Sequence, residues 1–208
     1  RVRIEEALQH EDLNAVSRET MEATLAELDR VQRTLGTLLQ IAQAEGRGRE
    51  VAQDHIDVAE LAQEMIELYQ PEAGARDIAL QFSGNRTAPL LGNRQLLAQA
   101  IVNLLENALK YVPENGKVSI EVLQSDDETR VIVADNGPGI PAADRERILQ
   151  PFVRLERDRQ QLGRGLGLSL VAAVMRLHGG TIDLADNNPG LKVSLRFPTK
   201  QERRASRH

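Results

Sequence analysis

The sequence predicts an α+β protein in two parts, a truncated helical hairpin followed by an α/β sandwich with helices over one face of a mixed sheet. Three observations predict it. Before Gly46 there is one glycine, Gly36, and no proline, so that segment can be almost wholly helical. Within it Met21, Leu25, Leu28, Leu35, Leu39 and Ala42 recur at a 4-3 spacing interrupted only by Gln32, the seam of a helix with a partner helix. After Gly46-Arg47-Gly48-Arg49 the texture changes to strand and helix patterns in succession.

Ile4, Ala7 and Leu8 begin a second stripe, and Glu11-Asp12-Leu13-Asn14 makes a connection, so residues 1–45 read as the end of one helix and a long second one. A hairpin this thin cannot bury its own seam; it is expected to form a homodimer through residues 1–45 as a four-helix bundle. The expected division is therefore 1–48 hairpin, 49–198 sandwich and 199–208 a polar, disordered tail.

Within the sandwich, Asp57 with Glu60 is a capping-box variant opening a helix through about Tyr69, stopped by Pro71 and Gly74. Ile78, Leu80 and Phe82 alternate as in a strand. Asn93 can cap a helix over 94–111 that buries Leu96, Leu97, Ala100, Ile101, Leu104, Leu105 and Ala108. Val118, Ile120 and Val122 alternate, a turn comes next at Asp126-Asp127, and Val131-Ile132-Val133-Ala134 reads as a central strand. A helix from about Gly165 to Leu177 and strands near 180–185 and 191–197 close the chain.

Composition excludes several functions. There is no cysteine, so disulfides, thiolate metal sites and a cysteine nucleophile are out. A formal charge of -5 argues against a dedicated nucleic-acid binder, whose affinity would come from phosphate neutralisation. No apolar stretch approaches the ~18 residues of a spanning helix, and Arg1-Val2-Arg3-Ile4-Glu5-Glu6 lacks a signal peptide's apolar region. We expect a soluble piece with no membrane contact and with an upstream part missing. Aromatics make up only 2%, so the core must be Leu, Ile, Val and Ala.

Three islands hold polar residues and glycines that packing alone would not place. In Asn103-Leu104-Leu105-Glu106-Asn107-Ala108-Leu109-Lys110-Tyr111, Asn103 and Asn107 share a helical face. An amide oxygen can ligate a hard cation such as Mg2+, and a lysine can neutralise phosphate; taken alone, the island is equally a solvated helix face. In Val133-Ala134-Asp135-Asn136-Gly137-Pro138-Gly139-Ile140-Pro141, an apolar strand runs into an aspartate that can accept from an exocyclic amine, and glycines admit a ligand close to the backbone. By itself it is also an ordinary turn. Gly163-Arg164-Gly165-Leu166-Gly167-Leu168-Ser169-Leu170 opens an apolar helix whose N-terminal amides can hold phosphate, or it is a hinge before a helix. It is neither a Walker loop nor a dinucleotide fingerprint.

In this order and spacing the islands resemble the N, G1 and G2 boxes of the Bergerat-type ATP-binding fold of sensor histidine kinases, gyrase-type ATPases, Hsp90-type chaperones and mismatch-repair ATPases. Pro151-Phe152-Val153-Arg154 resembles the F box of the histidine kinases, and the upstream hairpin their dimerisation and phosphotransfer domain. The resemblance implies ATP and Mg2+ as ligands. Asn107 would ligate Mg2+ with Asn103 in support, Lys110 would contact phosphate, and Tyr111 would lie against the nucleotide. Asp135 would recognise the adenine amino group beside Gly137, Gly139 and Ile140. Gly163, Arg164, Gly165, Leu166, Gly167 and Leu168 would wrap the phosphates, and the segment from Phe152 to Gly163 would form a lid. Glu106 is the position that would polarise the reacting group.

The resemblance further implies a phosphorylatable histidine in an H box, a response-regulator receiver domain as partner, and a place as the cytoplasmic portion of an inner-membrane sensor protein. His10 is the sole histidine of the hairpin, yet Leu8-Gln9-His10-Glu11-Asp12-Leu13-Asn14 lacks the Arg-Thr-Pro continuation and lies near the hairpin's turn. Val2 to Leu8 resembles the stretch just after an H box. His55, His178 and His208 read as structural or tail residues. The expectation is an ATP-binding catalytic core that does not label itself; the alternatives are a non-kinase ATPase of the same fold and a dimerising nucleotide-binding scaffold.

Overall fold

A computed structural model describes residues 54–155 and 165–198, together with Thr20, Met21, Thr24, Leu25 and Gly36, all five helical. The expected hairpin and its dimer seam otherwise lie outside the described residues, as do the tail and His10.

The chain enters at β1 (Asp54–Asp57), which pairs antiparallel with β3 (Pro89–Gly92) in a two-stranded ribbon. Asp57 then caps α1 (Val58–Gly74): its Oδ1 accepts from the amides of Ala59 at 2.9 Å and Glu60 at 3.3 Å, and also from that of Ala88 at 2.9 Å. One carboxylate oxygen thus starts a helix and ties it to the approach to β3. A cap of this kind stabilises by about 1 kcal/mol. The helix runs past Pro71 to Gly74, beyond the expected stop at Tyr69. Proline removes only one i to i−4 bond, and buried Ala73 anchors the extra turn by accepting from the amide of Ile78 at 2.9 Å.

After β2 (Ala79–Gly84) and β3, Asn93 caps α2 (Arg94–Tyr111), its Oδ1 accepting from Leu96 N at 3.0 Å. All seven apolar residues expected on its inner face are buried, and Asn103 and Leu109 join them. β4 (Lys117–Gln124) and β5 (Glu128–Asp135) form a hairpin, and two short 3-10 turns come after it, Ala142–Asp144 and Arg147–Leu149. α3 runs Gly167–Leu177, beginning two residues later than expected. β6 (Thr181–Asp186) and β7 (Leu191–Pro198) complete the described chain.

The main sheet has the order β2-β4-β5-β7-β6, with β2 and β4 parallel and the other neighbours antiparallel. β5 is its central strand, as the run Val131–Ala134 indicates. Leu61, Leu97, Ile101, Leu105, Ile120, Leu170 and Leu195 are fully buried between helices and sheet. Three helices cover one face, and β4 shows the alternation this needs: Val118, Ile120 and Val122 point into the core while Ser119 and Glu121 do not. The inner strands β5 and β7 instead carry buried runs at 131–133 and 193–195. No helix among the described residues is long and apolar enough to cross a membrane.

Candidate functional site

α2 carries the first island, and side chains hold it at both ends. At its start, the amide of Asn93 donates to His178 Nε2 at 3.0 Å, and His178 Nδ1 lies 2.8 Å from the carbonyl of Val174. Both bonds form only in the neutral ring with its proton on Nδ1. At the other end Arg76 donates from Nη1 to Leu109 O at 2.5 Å and from Nη2 to Val112 O at 2.9 Å, placing a cation at the helix C-terminus. The N box is therefore fixed against α3 and against the loop after α1.

Asn103 is buried, and its Nδ2 donates to Gln99 O at 2.7 Å; Asn107 is half-buried one turn on. Both face the start of α3. A Cβ on Gly167 would lie 3.2 Å from Asn107 Nδ2 and 3.3 Å from Asn103 Oδ1. The N-cap position of α3 is Leu166, which gives no side-chain cap, so the helix's first amides are not satisfied by a side chain there. Ser169 Oγ turns instead to Leu166 O at 2.9 Å. Uncapped amides beside two asparagines suit a ligand rich in anionic oxygen and a hard cation. Leu166 is buried and Leu168 packs partly buried against the core, so these two anchor the helix start.

Lys110 and Tyr111 end the helix, with the Lys110 ammonium 5.1 Å from the Tyr111 ring centroid. Glu106, half-buried, accepts a hydrogen bond from Tyr69 Oη on α1 at 3.2 Å.

Asp135 ends the central strand at 8% exposure. Its Oδ1 accepts from the amides of Gly137 at 2.8 Å and Leu191 at 3.3 Å. Its Oδ2 accepts no hydrogen bond among the described residues. Burial pushes the carboxyl above its ordinary value, and the two amides only partly offset this. A buried carboxylate with one oxygen committed and one open is suited to a neutral N–H donor brought by a ligand.

The glycines explain how these parts approach. A Cβ on Gly137 would meet Asp135 Oδ1 and Tyr111 O, both at 3.0 Å, so its absence lets the turn lie on the end of α2. Gly139, at φ +65°, packs on Gly190 O, where a Cβ would come within 2.8 Å. Ile140 is partly buried against the core, and its carbonyl accepts from Arg145 Nε at 3.1 Å. Phe152 has φ 64° and is 73% exposed, and its amide donates to Gly165 O at 3.0 Å. The F and G2 segments thus meet at Phe152 and Gly165. Gly163, Arg164 and most of the expected lid lie outside the described residues.

Sequence reasoning missed Tyr69, Arg76, Asn187 and Gly190. The last two sit in Asn187-Asn188-Pro189-Gly190, a run of turn-forming residues between two strands.

The family model described as "Histidine kinase-, DNA gyrase B-, and HSP90-like ATPase" matches residues 92–201, just over half of the chain. The chain is 36% identical over 142 residues to the adaptive-response sensory kinase SasA of Synechocystis sp., covering 67% of this chain and 37% of SasA. The nucleotide-free catalytic domain of histidine kinase ThkA is similar at a TM-score of 0.66 and 27% identity, over 72% of this chain and 99% of that one. Full-length ShkA in complex with AMPPNP is similar at a TM-score of 0.73 and 26% identity, over 93% of this chain and 41% of that one. The chain spans 37–45% of the length of four such curated relatives. Its N, G1 and G2 segments fall within the matched residues, and the chain belongs to the histidine kinase-, DNA gyrase B- and HSP90-like ATPase family.

Proposed function

We propose that this chain is the ATP-binding catalytic core of a sensor histidine kinase, passing the γ-phosphoryl of ATP to a histidine and thence to a response-regulator aspartate. The observation that carries the reading is buried Asp135, whose open Oδ2 sits in the same unit as the uncapped start of α3. The first calls for a base with an exocyclic amine and the second for phosphates. Likeness to ThkA and ShkA supports the reading.

In this reading Asp135 accepts from the adenine amino group, and Gly137 and Gly139 keep side chains away from the base. The amides at Gly165, Leu166 and Gly167 take phosphate oxygens, with Gly163 and Arg164 continuing the wrap, and Lys110 adds positive charge. Among the described residues there is no cluster of three or more carboxylates or histidines to cage a metal. The Asn107 amide oxygen is a hard donor of the kind that fits Mg2+, which it would hold together with a nucleotide, Asn103 keeping Asn107 in place. Asn107 would hold the ion where its charge would offset that developing on the phosphates. The acceptor nitrogen bonds to the γ-phosphorus as the bond to the ADP oxygen breaks, and Glu106 polarises the incoming imidazole. The acceptor resides on a hairpin whose H box this sequence lacks. The division at residues 48 and 198, the homodimer through residues 1–45 and the cytoplasmic face of a membrane sensor belong to the same proposal.

Nucleotide titration of the chain with Asn107→Asp and Asp135→Asn tests it. Both substitutions are expected to weaken ATP at least about tenfold, the effect of losing a charge-assisted contact; unchanged affinity in both favours the scaffold reading. With γ-labelled ATP the chain should stay unlabelled. Acid-labile label that disappears in His10→Ala would return the acceptor role to His10.

A further inference from the structure

Asp135 is held by the turn between β6 and β7, and that turn is a separate element from the motifs that line the site. The β5–β7 ladder has its last residue pair at Ala134 and Lys192. Beyond it, side chains continue the pairing. The Leu191 amide reaches the Asp135 carboxylate at 3.3 Å, and Asn187 Nδ2 donates to the Asp135 main-chain carbonyl at 2.8 Å. The turn is closed by Asn187 N to Gly190 O at 3.1 Å. Gly190, at φ +117°, comes so near that a Cβ there would lie 1.8 Å from the Asp135 carbonyl oxygen. Arg145 steadies the end of β6 by bridging Asp186 at 2.6 Å while also donating to Ile140 O.

We propose that Asn187 is a positioning residue for base recognition, fixing the backbone of Asp135 so that its open oxygen meets the 6-amino group of adenine. This rests on the base-recognition role proposed above for Asp135. The reason is geometric. Oδ1 is pinned by two amides, so the direction of Oδ2 depends on the Asp135 peptide plane, and that plane is gripped from the β6–β7 turn by the Asn187 amide. An exposed asparagine gains little stability from such a bond, yet a carboxylate that rotates by a few tenths of an ångström loses a buried hydrogen bond to the ligand.

The test compares two nucleotides on the 208-residue chain: ADP and the analogue carrying hydrogen in place of the 6-amino group. Asn187→Ala is expected to weaken ADP about fivefold while leaving the deamino analogue within about twofold, so the preference for ADP shrinks. Its thermal midpoint should stay close to the parent's because Asn187 is exposed. Equal weakening of both nucleotides would mean that the turn only maintains the fold, and an unchanged preference would remove Asn187 from recognition; either outcome overturns the proposal. Asp135→Asn, measured in parallel, separates the two levels. If it too leaves the preference for ADP intact, the base-recognition reading falls. If it abolishes the preference while Asn187→Ala does not, only the positioning role falls.

Discussion

Gly167 stands so close to Asn107 that a Cβ added to it would lie 3.2 Å from the asparagine's Nδ2, with Asn103 Oδ1 at 3.3 Å on the same side. The close contact between α2 and α3 thus depends on a missing side chain at the point where three proposed ligand-holding residues converge.

Gly167→Ala separates stability from binding. The residue opens α3 without a positive φ, so alanine suits the helix and changes stability by less than about 1 kcal/mol. The asparagines must shift by a few tenths of an ångström, and ATP affinity is expected to fall by about tenfold or more. Calorimetric titration beside a thermal melt checks both, and an unaltered affinity would show that the contact is packing alone.

Asp135→Asn is expected to raise stability at neutral pH even as it lowers nucleotide affinity. Burial lifts the folded carboxyl above its ordinary 3.8, so the ionised group destabilises the fold at pH values above the folded pKa. The penalty fades as pH falls through that value and is absent below 3.8. Asparagine keeps an Oδ1 acceptor for the two amides without the charge. The stability difference between variant and parent, by urea titration, should shrink as pH is lowered from about 7.5 to about 4.

His178 gives acid sensitivity of the opposite kind. Burial pulls the ring below its usual 6.5, so the unfolded chain takes up a proton before the folded chain does. Stability from the neutral ring is present in full above 6.5 and lost as pH falls through the folded value. Protonation also removes the acceptor for the Asn93 amide. His178→Gln should show a flatter dependence of the denaturation midpoint between about pH 7.5 and 5; an equal slope in both proteins would shift the cause elsewhere.

Arg76→Ala removes two hydrogen bonds to carbonyls at the end of α2 and the cation beside them. The expected loss is about 1–3 kcal/mol. Because α2 carries Asn107 and Lys110, ATP affinity should fall with it. Lysine at this position should recover less than half, since one ammonium cannot span both carbonyls.

Local physics made much of the fold legible. Asn93 is a cap, the next eighteen residues keep one apolar face, and α2 runs Arg94–Tyr111 as that pattern requires. The strand run into Asp135 and the glycines beside it could be read because a buried apolar strand ending in an aspartate is a local conflict. The extra turn of α1 could not, since one proline's cost is set against an anchor, Ala73, that only the packed structure supplies.

The sequence by itself determined the order of α1 to α3 and of the five main-sheet strands, the buried face of α2 and the three polar islands, because caps, periodicity and turn residues act within a few positions of one another. The β1–β3 ribbon, two four-residue strands without a clear alternation, it did not show. Only the tertiary structure decided that Gly167 would meet Asn107, that Tyr69 would reach Glu106 across 37 residues, and that Asn187 would take hold of Asp135 across 52. Such contacts leave no period in the chain. They exist because strand order brings β6 and β7 to the side of β5, and helix packing brings α1 and α3 against α2.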